Sequence, residues 1–267
     1  MSFNFRRGPV VTEYEISTPK LEKGEKVCLA VISDLHECTF GLDNRGLFRA
    51  ISRIKPDALV IPGDLIDGSS LADPSNTMET LKKLHSIYPR IFFAPGNHER
   101  KVLDRTIYTR QMVGLIKGLK ASGVSLMHNE MEKLTEKISV YGLDLNHDYY
   151  RRVVKKNVPP GMLELLLGKP RRESFNILIA HDPDHFPEYV KWGPDLVLSG
   201  HVHGGIIRLP GIGGLLSPGY RLFPKYSSGI YESGASKMIV SRGAGSHTIN
   251  IRINNPPEIL KVIIKGE

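Results

Sequence analysis

The 267-residue sequence predicts an α/β fold in which two packed mixed sheets are flanked by helices. Three observations carry that expectation. Between Val27 and Gly123, short apolar runs alternate with amphipathic stretches, the pattern of βαβ units around a largely parallel sheet. Beyond Val124 the chain becomes richer in strand-like segments, too many for one sheet. Polar residues of metal-ligating type, finally, stand directly after several apolar runs, where open α/β sheets bind their ligands.

Taken in order, the first half predicts a strand over Val27–Ser33, a helix over Leu47–Ile54, a strand over Ala58–Pro62, a helix over Thr77–Ile87, a strand over Ile91–Ala94 and a helix over Gln111–Ala121. Met78, Leu81, Leu84 and His85 fall at helical spacing, so the second helix covers a sheet face and His85 is a surface or groove residue. The second half predicts strands over Val124–His128, Leu134–Leu143, Phe175–Ala180, Leu196–Ser199, Met238–Ser241 and Ile259–Ile264. Between them, residues 146–172 form a charged, tyrosine-bearing interruption with a short helix over Pro160–Leu167, readable as a cap over a site or as a surface connection. Residues 211–219 and 226–234 are rich in Gly, Ser and Pro and read as turns long enough to bind a ligand. One domain over residues 1–267 is the expectation for an α/β chain of this length.

Composition narrows the function. At 40% hydrophobic and 24% charged residues the chain is ordinary for a globular protein with a large core. Its longest apolar runs fall far short of the roughly 20 residues that span a bilayer. Met1–Val11 contains Arg6 and Arg7 but no apolar segment of signal-peptide length, which predicts a cytoplasmic location. Cys28 and Cys38 read as free thiols of a reducing compartment. A net charge of +8 and a pI near 9.4 suit an anionic partner: a phosphorylated metabolite, an acidic membrane surface touched peripherally, or nucleic acid. The basic residues are scattered, with local density only at 151–156 and 169–172. Without a zinc finger or an aromatic-interleaved basic stripe, no specific nucleic-acid binding is expected.

The chemistry lies in an ordered set of fragments. In Val31-Ile32-Ser33-Asp34-Leu35-His36, period-two strand geometry would send Asp34 and His36 to one side, towards one ion. The buried strand Ala58–Pro62 ends at Gly63, which lets the backbone turn and push the Asp64 carboxylate forward; two oxygens can bridge two cations. Ile91–Pro95 leads to Gly96-Asn97-His98-Glu99, where the Asn97 amide oxygen suits a metal and His98 suits the substrate. His181 stands at the exit of Ile177–Ala180, better placed than Asp182. His201 and His203 are bracketed by Gly200, Gly204 and Gly205. A set of Asp, Asn and His without thiolate favours borderline-hard divalent ions such as manganese, iron or zinc. Two such ions about 3.5–4 Å apart would clamp a phosphoryl group and lower the pKa of a bridging water, giving an in-line nucleophile at neutral pH. His98 would then protonate the leaving oxygen or stabilise the pentavalent phosphorus. Phosphoester hydrolysis is the reaction that fits.

In this order D-x-H, G-D, G-N-H-E, H and G-H-x-H, the fragments resemble the calcineurin-like metallophosphoesterase superfamily over residues 27–205. The resemblance implies a four-layer α/β/β/α sandwich with a dinuclear site at the sheet edges. Asp34, His36, Asp64 and His203 would hold one metal, Asp64, Asn97, His181 and His201 the other, and His98 would be the catalytic histidine. Residues 223–226, 229–231, 240–245 and 257–259 resemble the YkuE-like branch, often phosphodiesterases. That branch has relatives that split the pyrophosphate of UDP-diacylglucosamine, so a lipid-linked nucleotide stands beside a phosphorylated small molecule as substrate. Asn146, His147 and Arg242, with Tyr149 or Tyr150, are candidates for contact with a phosphate or leaving group, and turn or surface roles would explain them equally. Glu37 and Glu99 read as acceptors that orient histidines, and Asp67 as another such acceptor or a cap.

Overall fold

The computed structural model describes residues 4–5, 8–68, 74–104, 114, 117–119, 121–151, 156–205, 207–209, 213–216, 222–246 and 252–267. Two six-stranded mixed sheets pack face to face. The first has the order β2 (Val10–Thr18), β16 (Glu258–Gly266), β3 (Lys26–Val31), β5 (Ala58–Pro62), β6 (Ile91–Ala94), β7 (Ser125–Leu126). Its strands β3, β5, β6 and β7 run parallel, while β16 is antiparallel to β3. The second has the order β14 (Gly229–Ser233), β15 (Ser236–Val240), β11 (Leu196–Ser199), β10 (Phe175–Ile179), β9 (Ile138–Gly142), β8 (Glu130–Thr135). Here β15, β11, β10 and β9 are parallel and both edge strands antiparallel. Two short pairs complete the strands, β1 (Asn4–Phe5) with β4 (Thr39–Phe40) and β12 (Ile207–Leu209) with β13 (Gly213–Leu216).

Three apolar layers hold the four layers of backbone together. Between the sheets lie Leu29, Val31, Val60 and Phe92 from the first, and Val140, Ile177, Ile179 and Leu198 from the second. Alternate residues of the same strands face outward, because side chains alternate along a strand. Ala30, Leu59, Ile61 and Phe93 accordingly meet α1 (Arg45–Ile54) and α2 (Ser75–Ile87) through Leu47, Ile51, Leu81 and Leu84. On the far side Tyr141, Leu178 and Val197 meet α4 (Met162–Leu167) and α5 (Phe186–Trp192) through Leu163, Phe186, Tyr189 and Trp192. Buried residues of α1 at 47, 50, 51 and 54 follow the helical stripe that its sequence dictates. The four-layer α/β/β/α sandwich is therefore present.

Several elements differ from expectation. Val10–Thr18 is a nine-residue strand that pairs in parallel with β16, and no element was expected there. The single strand expected over Leu134–Leu143 is a hairpin: β8 and β9 turn at Glu136 and Lys137, with the Lys137 N–H held by Thr135 Oγ1 at 3.2 Å. The expected turn over 226–234 contains β14. Most of the helix expected over Gln111–Ala121 lies outside the described residues. Both cysteines are free thiols. Among the described residues, no helix is long and apolar enough to cross a membrane.

Candidate metal centre

The candidate ligands converge where strands of both sheets end. Asp34, His36 and Asp64 follow β3 and β5, Asn97 opens α3 (Asn97–Leu103) after β6, and His181, His201 and His203 follow β10 and β11. Asp34 and His36 reach the site by a route other than strand alternation. β3 stops at Val31, and the backbone of Asp34, His36 and Glu37 is left-handed, with φ of 52°, 47° and 59°. Asp64, His201 and His203 are left-handed as well, at 55°, 70° and 55°. Five of the seven proposed ligands thus occupy a region that non-glycine residues enter at a cost on the order of 1 kcal/mol or more.

Backbone hydrogen bonds hold these loops in register. Asp34 N–H donates to Gly63 O at 3.1 Å, His36 N–H to Asp64 O at 3.1 Å, and Gly245 N–H to Asp34 O at 2.7 Å. Two glycines permit the close approach. A Cβ on Gly96 would stand 2.2 Å from Asp64 Oδ1, and one on Gly200 would stand 2.3 Å from Asp34 Oδ2.

Within the site the expected donors form two sets, and a third group, His36, Asp67 and His98, adjoins them. Asp34, His36 and His203 make one, and Asp64, His181 and His201 the other; in each, one donor atom per residue lies within 4.8 Å of the rest. His36 Nε2 faces His203 Nε2 at 3.1 Å, and His203 Nε2 is 3.5 Å from Asp34 Oδ1. In the second set His181 Nε2 lies 3.1 Å from Asp64 Oδ2, 3.1 Å from Asn97 Oδ1 and 3.2 Å from His201 Nδ1. Asp64 Oδ2 is also 3.8 Å from His36 Nε2, which puts this carboxylate between the sets. Asp34, His36, Asp64, His181 and His203 are all buried.

Hydrogen-bond partners fix which ring nitrogens face the centre. His36 Nδ1 donates to Ile66 O at 3.2 Å and His181 Nδ1 to Pro62 O at 2.7 Å, so both rings turn Nε2 inward. Inward-facing nitrogens therefore meet carboxylate, amide and imidazole acceptors, a convergence that only a proton or a cation can reconcile. Burial disfavours a charge on His181, yet the Asp64 carboxylate overrides it and raises the histidine to about 10. Burial raises Asp34 to about 8 despite the neighbouring His181 charge. Burial also opposes ionisation of Asp64, but the surrounding histidines hold it well below the usual carboxylate range. These residues fit divalent cations, and a protonated His181 partly stands in for one.

His98 sits beside the sets. Its ring centroid is 4.7 Å from that of His36, its Nε2 is 4.0 Å from Asp64 Oδ2, and its Nδ1 is 3.9 Å from Asp67 Oδ1. The His98 N–H donates to Asp64 Oδ1 at 2.9 Å. Glu99 orients backbone rather than a histidine. Its Oε1 accepts Leu65 N–H and Ile66 N–H at 2.8 and 3.1 Å, and its Oε2 accepts Asp64 N–H and Gly96 N–H at 2.9 and 2.8 Å. One carboxylate thus ties together the loops that present Asp64 and Asn97.

The three candidate substrate contacts have partners outside the metal donors. Asn146 Oδ1 accepts Arg100 Nη2 at 3.1 Å, and His147 N–H donates to Asp104 Oδ2 at 3.3 Å, which sets both against α3. Arg242 has its guanidinium committed to Glu258 Oε2 and Thr12, and its backbone N–H bonds Glu258 Oε1 at 3.0 Å. Two residues were missed. Arg100 bonds Asp144, Asn146 and Asp104, and its place directly after Gly96-Asn97-His98-Glu99 was the available signal. Arg252 bonds the carbonyls of Arg242, Gly243 and Gly245, with Nη2 3.4 Å from His203 Nδ1. Nothing in its local sequence marks it.

The sequence profile of the calcineurin-like phosphoesterases matches residues 29–205, about two thirds of the chain. The chain belongs to that family. This calcineurin-like phosphoesterase is 26% identical over 272 residues to the uncharacterised metallophosphoesterase YkuE of Bacillus subtilis (strain 168), spanning 96% of its own length and 85% of YkuE. It is 30% identical over 265 residues to an uncharacterised metallophosphoesterase of Aquifex aeolicus (strain VF5), spanning 96% and 92%. Among solved structures, phosphopantetheinyl hydrolase PptH from Mycobacterium tuberculosis aligns with a TM-score of 0.45 at 14% identity, over 84% of this chain and 89% of that one. The calcineurin-like phosphoesterase described here is of the YkuE-like branch and is a metal-dependent phosphoric ester hydrolase.

Proposed function

We propose that the chain hydrolyses a phosphodiester at a dinuclear centre of manganese, iron or zinc. The observation that carries this reading is the position of Asp64, whose Oδ2 lies 3.1 Å from His181 Nε2 and 3.8 Å from His36 Nε2, between two donor sets. Asp34, His36 and His203 would hold one cation with Asp64, and Asn97, His181 and His201 the other. Two divalent ions so placed supply Lewis acidity to a phosphoryl oxygen and acidify water for in-line attack.

The chain's own residues do the rest. Asp64 accepts the His98 N–H on Oδ1 and turns Oδ2 towards His181 and His36, between the two donor sets, so it can be shared. Ser33 donates its hydroxyl to Asp34 Oδ2, and the His201 N–H holds Asp34 Oδ1 at 2.9 Å, which keeps that carboxylate from rotating. His98, beside both His36 and Asp64, is placed to give a proton to the departing alkoxide, with Asp67 behind its Nδ1 to orient the ring.

The deciding experiment loads the protein with manganese, iron or zinc and compares a bis-aryl phosphodiester, an aryl monoester and a UDP-linked pyrophosphate. A preference of more than tenfold for the diester, lost in His98→Ala, is expected. Activity on monoesters alone would overturn the diesterase assignment, and identical rates for His98→Ala would remove its catalytic role.

A further inference from the structure

Asn146, His147, Asp148, Tyr149 and Tyr150 follow β9 of the second sheet, and their one buried side chain is Tyr150. The Tyr150 ring lies over the second donor set, with centroids 6.0 Å from His181 and 6.1 Å from His201, tilted by 59° and 56°. His98 stands at the other set, 4.7 Å from His36. Tyr150 thus lies by the second donor set and His98 by the first.

Tyr150 is only 6% exposed, and its ring packs into the apolar layer with Tyr141, Leu143 and Leu163. Buried tyrosines ordinarily bond their hydroxyl. Tyr189, a neighbour in the same layer, does so through Asp182 O at 2.8 Å. The Tyr150 hydroxyl has no hydrogen-bond partner among the described residues, and it is not one of the sealed, unsatisfied polar atoms of the interior. The small remaining exposure of the residue thus includes its hydroxyl.

The segment that carries it is held in place. Arg100 Nη2 donates to Asn146 Oδ1 at 3.1 Å, Asp104 Oδ2 accepts the His147 N–H at 3.3 Å, and the Tyr149 carbonyl lies 3.1 Å from His185 Nε2. α3, which also presents Asn97 and His98, therefore sets the position of Tyr150. A largely buried phenol with an uncommitted donor beside a centre that accepts anions is suited to one task.

We infer that Tyr150 is a substrate-binding residue whose hydroxyl donates a hydrogen bond to a phosphoryl oxygen held by the second donor set, near His181 and His201. The inference rests on the phosphoesterase reading for its substrate but not for its anion. A phenol is also a neutral donor and so accepts either a diester or a more highly charged monoester. It anchors the phosphoryl group without selecting its charge.

The test is Tyr150→Phe, which keeps the ring and removes only the donor. Metal content and thermal midpoint should match the unsubstituted protein. The dissociation constant for tungstate, an oxyanion mimic read by calorimetry on metal-loaded protein, should rise about 10- to 100-fold, and kcat/KM should fall by a similar factor. Unchanged tungstate affinity and unchanged kcat/KM would overturn the inference. So would loss of metal from Tyr150→Phe, because the residue would then act on the ligands rather than the anion. Should the unsubstituted protein hydrolyse no phosphoester while Tyr150→Phe still weakens tungstate, the contact stands and the phosphoesterase reading alone fails.

Discussion

Glu99 Oε2 accepts the backbone N–H of Asp64 at 2.9 Å, and through that bond the third helix sets the carboxylate lying between the two donor sets. The same side chain accepts three further backbone N–H groups, so Glu99→Gln would turn an NH2 group towards two donors. We expect Glu99→Gln to lose about 2–4 kcal/mol in chemical denaturation, the cost of stranding two buried N–H groups. Metal affinity should fall with it. Stability within 0.5 kcal/mol of the unsubstituted protein, on the order of an ordinary surface change, would show that the carboxylate holds nothing.

His98 and Asp67 make a separable pair. His98→Ala should lower kcat by about 10²- to 10⁴-fold with the metal content kept, as expected for a positioned proton donor. Asp67→Asn, 3.9 Å from His98 Nδ1, should cost about tenfold and little in KM, because it loosens the ring without touching the substrate. An equal loss of bound metal in either variant would reassign the residue to the metal site.

Metal binding must expel protons. At neutral pH the metal-free protein keeps a proton on His181, raised to about 10, and on Asp34, raised to about 8. Both must leave before these groups ligate, so metal affinity should rise with pH through the neutral range. Calorimetric titration in buffers of different ionisation heat should reveal net proton release, and heats independent of buffer would contradict it.

The same shifts set the stability of the metal-free protein. His181 gains stability from a folded pKa above its ordinary 6.5, present below that value and lost as pH rises through about 10. Asp34 binds its proton more tightly folded than unfolded, so ionising it between 3.8 and about 8 also destabilises the fold. Both slopes have one sign: unfolding midpoints of the metal-free protein should fall as pH rises from about 4 to about 10. Metal should flatten this decline, since bound cations replace the protons.

His201, at φ 70°, allows the backbone cost to be read alone. His201→Gly and His201→Ala remove the same ring, so their difference isolates the left-handed residue. The glycine variant should be the more stable by about 1 kcal/mol in the metal-free state. Equal stability would show that the surrounding loop relaxes.

The sequence made the parallel strands legible because each is a short, fully apolar run, as in Ala58–Pro62 and Ile91–Ala94, closed by glycine and a polar residue. Val10–Thr18 escaped notice although its alternation was visible, since Glu13 and Glu15 on its open face gave it a polar look. Glu136-Lys137 lacks the glycine or asparagine that announces a tight turn, which hid the β8–β9 hairpin. At the site, residue types were readable and backbone geometry was not. Asp34 and His36 meet because left-handed turns aim them, a property that residue spacing does not encode. Glu99 was assigned to a histidine because its four backbone partners are 3 to 35 residues away and leave no side-chain signal.

Left-handed geometry at five ligand positions also has a consequence for how such a chain can decay. Glycine at 34, 36, 64, 201 or 203 would abolish a metal ligand and at the same time relax the backbone that the ligand strains. Inactivating changes there meet less thermodynamic resistance than most buried substitutions do. Persistence of these five side chains in a lineage would therefore report selection for turnover, since folding alone would favour their loss at these bends.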